Sequence, residues 1–169
     1  MTRENDQDMG RAKSQAKAAL ASIVAMVARL EHSQQCSGDP DDCELTSEEV
    51  FEGLGYYYPE GKEASEEDRE QYHDEEQARE TISEDALSVE VRSDWIMPGQ
   101  EKFQPAEFRI LLSTGGPASR IIGELDVDLE PYSVRLQYQD WFTPWVDYFP
   151  LSDEEKQALE AYAREFYYS

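Results

Sequence analysis

The chain has 169 residues, enough for one domain with a real core and too short for two. Its 38 acidic residues against 15 Lys and Arg give a formal charge of −23. That excludes direct nucleic-acid binding through a basic surface and argues against an anionic membrane as partner, because both need clustered cations. An apolar fraction of 39%, with 10 Tyr, 6 Phe and 3 Trp, exceeds what a wholly disordered acidic chain carries, so the protein is expected to fold.

The opening MTRENDQDMG is polar, and no run of about 18 apolar residues occurs anywhere, which reads as a cytosolic protein with residues 1–9 as a flexible arm. Residues 10–33 then place Leu20, Ile23, Val24, Val27 and Leu30 at three- and four-residue steps, the signature of a helix with one apolar face. Ala18, Ala21, Ala25 and Ala28 make part of it small enough for a second helix to approach, so a homodimer is a second reading beside core packing. Cys36 and Cys43 follow in CSGDPDDC, where a reducing compartment predicts thiols. With His32 and His73 they form a zinc set on paper. The spacing departs from C-x2-C and the Asp and Pro suggest a loop, so the expectation is no metal and no cofactor. Asp39, Asp41 and Asp42 lack the glycine and bidentate glutamate of a calcium loop.

Charge is unevenly spread. Residues 1–38 sum to +1 and residues 86–169 to −8, whereas residues 39–85 hold nineteen acids and three bases, net −16. Within this acidic insert, Thr46 or Ser47 before Glu48 and Glu49 resembles a helix N-cap, and Gly53, Gly55 and Pro59 keep that helix short. Of Tyr56, Tyr57 and Tyr58, at least one must reach solvent or a partner. Ser65 caps a second helix expected to run unbroken to about Ile82, with only Tyr72, Ala78 and Ile82 as an apolar face. From Glu60 to Glu80 there are ten acids and three bases over about 31 Å if helical. One nucleic-acid strand carries a phosphate every ~3.4 Å of axis, a comparable density. The candidate partner-binding residues are therefore Glu60, Glu63, Glu66, Glu67, Asp68, Glu70, Asp74, Glu75, Glu76 and Glu80, with Tyr57 and Tyr58. A plain solvated face is the competing reading.

Residues 86–140 read as an antiparallel sheet. ALSVEVRSDWI alternates, with Leu87, Val89 and Val91 on one face; Phe108 to Leu125 forms a hairpin about Gly115-Gly116-Pro117; YSVRLQYQ is a fourth strand. DWFTPWVDYFP concentrates aromatics, and Ser152 caps a last helix over 152–167 with Leu159, Tyr162, Ala163 and Phe166 inward. The predicted fold is α+β, a four-stranded antiparallel meander between an N-terminal and a C-terminal helix, with an acidic helical insert. Trp95, Trp141 and Trp145 are expected in core or rim packing.

No catalytic reading survives: Gly115-Gly116 has no following helix, G-x-S-x-G and H-E-x-x-H are absent, and carboxylates are too many for any pair to be informative. The runs ALSVEVRSDW, EFRILLSTGGPA, GEL and LQYQDWFTPW, with a final helix ending in EFYY, resemble a set of small uncharacterised proteins of tailed bacteriophages and prophages over residues 78–168. The resemblance implies a phage protein acting in the host bacterial cytoplasm and supplies no activity or site residues. The function expected is an inhibitor of a basic nucleic-acid-binding host defence protein, a CRISPR effector or restriction enzyme, which offers carboxylates in place of phosphates. The alternative is a protein-interaction module or accessory regulatory protein that binds through aromatic contacts.

Overall fold

The computed structural model describes residues 2–40, 43–58, 60–99 and 103–169, with side chains from Met9 onward. Among these, five helices accompany one five-stranded antiparallel sheet, so the α+β class and the meander are as expected. The order is α1 (Thr2–Gln35), α2 (Ser47–Gly53), α3 (Glu66–Tyr72), α4 (Glu75–Asp85), β1 (Ser88–Ser93), β2 (Pro105–Ser113), β3 (Ala118–Leu125), β4 (Pro131–Gln139), β5 (Val146–Asp147) and α5 (Asp153–Arg164). Strands lie in sequence order, each paired antiparallel with the next. The two-residue β5 extends the expected four strands.

Local chemistry explains most boundaries. Ser152 and Glu155 form a capping box that opens α5, which places Leu159, Tyr162 and Ala163 in the core. The α1 face is buried at Ala12, Ala16, Leu20, Ile23, Val27 and Leu30, a three-and-four stagger that lies over β3 and β4. Ala18, Ala21 and Ala28 point to solvent and Ala25 is half-buried. The helix begins at Thr2, within the stretch expected as a flexible arm.

On the sheet's inner face, Ile110, Ile121 and Leu136 sit in register across β2, β3 and β4 and are wholly buried. Phe108 opposes Gly123, and its ring occupies the space a side chain there would need: a Cβ on Gly123 would lie 2.6 Å from Phe108 Cε1 and 3.0 Å from the Tyr132 carbonyl. Gly123→Ala should therefore overpack the core and cost about 1–3 kcal/mol, read as a lower urea midpoint at unchanged slope. An unchanged midpoint would mean that Phe108 repacks freely.

Leu87, just before β1, and Val91 within it are exposed at the edge of the sheet, two places from the nearest strand that packs on α1, while Val89 packs against the core. One expectation fails at the rim. Trp95 is wholly exposed, while Trp145 is half-buried beneath the Arg120 guanidinium, 4.1 Å from its ring centroid. No helix among the described residues is long and apolar enough to cross a membrane.

Candidate functional site

The acidic insert folds as three short helices held against α1. Thr46 and Glu49 form the capping box of α2, and Ser65 with Asp68 that of α3. Between these helices lies a small core of Val50, Leu54 and Tyr72, edged by Leu45 and Ala64, with the Tyr72 ring pressed against Gly53. Two hydrogen bonds tie the ends together, from Ala64 N to Ser47 Oγ at 2.9 Å and from Arg69 Nη1 to the Leu45 carbonyl at 3.2 Å.

The expected helix from Ser65 to Ile82 is broken. His73 closes α3 in a right-handed turn, and Asp74 adopts an extended backbone and caps α4 by accepting from Gln77 N at 3.0 Å. The break frees carbonyls at the end of α3, and a cation from α1 meets them. Buried Arg29 donates to the Gln71 carbonyl at 2.8 Å and the Tyr72 carbonyl at 3.4 Å, and reaches Thr81 Oγ1 and Gln77 Oε1 on α4. Burial lowers the Arg29 pKa, and the negative charge of Asp74 acts the other way.

The same break delivers His73 to a cluster. His32 stands in the last turn of α1, and Cys36, whose N donates to the His32 carbonyl at 2.8 Å, continues that helical face by one turn. Cys43 comes from the following loop and His73 from the end of α3. His32 Nε2 lies 3.0 Å from His73 Nε2, Cys43 Sγ 3.1 Å from His73 Nε2, and Cys36 Sγ 2.9 Å from Cys43 Sγ. All four ligand atoms fall within 4.8 Å of one another, and all four residues are half-buried. The four residues that the sequence offered as a zinc set on paper therefore come together in the fold, although their spacing argued against it. The cysteines are not joined in a disulfide. His73 Nδ1 lies 2.7 Å from the Arg69 carbonyl, and a carbonyl only accepts, so Nδ1 carries the proton and Nε2 presents its lone pair to the cluster. His32 has its pKa lowered, first by burial and then by His73. The one local signal was His32-x3-Cys36 at a helix end; nothing local brings His73 back across the chain.

The predicted contact residues separate into two groups. Asp68 is committed to the α3 cap, and its hydrogen bonds from Ser65 lower its pKa; Asp74 caps α4; Glu75 pairs with Arg79 at 3.1 Å. Glu60, Glu63, Glu66, Glu67, Glu70, Glu76 and Glu80 are exposed, and none takes part in an ion pair among the described residues. Asp74, Glu76 and Glu80 line one shallow hollow of ≈ 300 Å³ with Gln77 and Ser83. Because the helix breaks, these acids form two short segments and no straight row of 31 Å. Tyr57 is 89% exposed, and Tyr58 is half-buried beside Phe51 with ring centroids 5.9 Å apart. Asp41 and Asp42 lie outside the described residues.

An aromatic patch sits elsewhere. Trp141 lies across the hairpin turn against Gly116, and neighbouring Phe142 is wholly exposed at a φ of 60°, a region that L residues seldom occupy. No protein-family model matches the chain, and no curated protein or solved structure is significantly similar to it.

Proposed function

We propose that this protein binds a basic nucleic-acid-binding protein and competes with nucleic acid for its channel, through the carboxylates of α3, α4 and the segment before them. The observation that supports this reading is the set of seven glutamates that are exposed and without ion-pair partners among the described residues, five of them on the capped helices α3 and α4 and two in the segment before α3. Association between the acidic face and a cationic channel would be fast and would weaken steeply with salt. In the phage setting that the sequence resemblance implies, the target is a defence enzyme of the host cytoplasm.

The variant Glu63→Lys/Glu70→Lys/Glu80→Lys tests this, since it avoids the capping residues Asp68 and Asp74 and the paired Glu75. Against purified CRISPR effectors and restriction enzymes, the wild-type protein should displace labelled DNA from at least one, less effectively as salt rises. The triple variant should lose at least ~10-fold in apparent affinity, about 1.4 kcal/mol. Equal displacement by the triple variant would overturn the reading. The exposed Trp141 and Phe142 favour a second one, contact through the aromatic patch, which predicts binding that survives the triple variant and high salt but is lost with Phe142→Ala.

A further inference from the structure

We infer that His32, Cys36, Cys43 and His73 bind a zinc ion in a closed tetrahedral site, which fixes the acidic unit to α1. The inference stands independently of the function proposed above.

Four observations carry it. The first is convergence. Ligand atoms from three separate stretches of chain meet within 4.8 Å, with neighbouring pairs at 2.9–3.1 Å. With Zn–S of about 2.3 Å and Zn–N of about 2.0–2.1 Å, the edges of a tetrahedron are about 3.3–3.8 Å, so the cluster brackets the required size.

The second is the orientation of His73. Its Nδ1 proton is held by the Arg69 carbonyl, the arrangement by which a ligating histidine is usually aimed, so its Nε2 lone pair faces inward. That single lone pair has two neighbours at hydrogen-bond distance, His32 Nε2 and Cys43 Sγ, and can accept from only one of them well. A metal at the common focus satisfies every ligand atom at once.

The third is charge. Each thiol loses its proton to solvent on binding, so two thiolates and two neutral imidazoles around Zn²⁺ form a neutral centre. A half-buried site then carries no uncompensated charge. The donor set of two sulfurs and two nitrogens suits zinc, and it excludes the oxygen-seeking calcium and magnesium. Four protein ligands leave no open position, so the ion's role is structural and not hydrolytic.

The fourth is need. Among the described residues the buried cluster of the α2–α3 unit is Val50, Leu54 and Tyr72, with buried Phe51 beside Tyr58, and units this small rely on a cross-link or a metal. The ligands lie where such a staple is effective: at the end of α1, in the loop before α2, and at the end of α3.

The test uses the reduced, full-length protein, stripped of metal with a chelator and titrated with Co²⁺ as a spectroscopic probe. The visible bands of tetrahedral cobalt, with a thiolate-to-metal transition, should saturate at about one equivalent and be displaced by Zn²⁺. Protein purified without chelator should contain about one zinc per chain. Cys36→Ser should lose the thiolate transition or weaken it by about half, and His73→Ala should abolish stoichiometric binding. Because a variant could fail for lack of folding, the wild-type titration decides. The proposal is overturned if reduced wild-type protein with native circular dichroism gives only octahedral cobalt spectra, or if it is isolated metal-free with Cys36 and Cys43 in a disulfide.

Discussion

Replacing Arg29 with alanine should destabilise the protein by about 3–5 kcal/mol and release α3 and α4 from α1. The side chain is 2% exposed and lies on the α1 face that meets the acidic insert. Its guanidinium links the Gln71 and Tyr72 carbonyls at the end of α3 to Thr81 and Gln77 on α4. Truncation strips the positive charge from the negative end of α3, takes the Arg29 donor from the Tyr72 carbonyl while the Gln71 carbonyl keeps Asp74 N at 3.3 Å, and opens a void between three helices. Arg29→Lys keeps the charge but cannot span the same acceptors, so an intermediate loss is expected. Urea midpoints of both variants give the magnitudes. A loss below about 1 kcal/mol for Arg29→Ala would show that α4 is held by its apolar contacts alone, through Ala78 and Ile82.

Removing the metal should have the second large effect. A centre that joins the end of α1 to the loop before α2 and to the end of α3 restricts the unfolded chain as a cross-link does, an effect worth about 2–4 kcal/mol. For a chain of this size that corresponds to a fall in thermal midpoint of ~4–16 °C on chelation. The loss should be local. The small cluster of Val50, Leu54 and Tyr72 is separate from the main core of α1, α5 and the sheet, so α2 and α3 loosen while the sheet persists. A local loss would also separate the two kinds of acid: glutamates whose exposure is unchanged, and Asp68, whose depressed pKa depends on an intact α3 cap.

The parts of this architecture that were legible in the sequence are those specified by neighbouring residues. The α1 face follows from the stagger of Leu20, Ile23, Val27 and Leu30; α2, α3 and α5 start where Thr46, Ser65 and Ser152 stand three residues before an acid; and the hairpin turns at Gly115 and Gly116. What escaped depends on residues distant in the chain. The break at His73 and Asp74 is fixed by Arg29 on α1 and by His32, some forty residues earlier, although Asp74 three residues before Gln77 already has the spacing of a helix cap. Leu87 and Val91 alternate as a buried strand should, yet their exposure depends on which strands the helices cover. The four ligands could be named together from the sequence, but the Cys36–Cys43 spacing argued against a site because the two histidines come from the ends of different helices, and only the folded chain brings all four together. The exposed glutamates were legible as charge. Their division into capping, paired and uncommitted groups was not.

Hydrogen exchange on the full chain, with and without chelator, tests the central claim that the histidine–cysteine centre organises the acidic unit. The expected result is strong protection of the amides of Val50, Leu54, Arg69 and His73 in the metal-loaded protein. Chelation should reduce that protection by at least ~10-fold, leaving Ile110, Ile121 and Leu136 in the sheet unchanged. Equal protection of residues 46–73 with and without metal would contradict the account, because the acidic helices would then be ordered by their own packing.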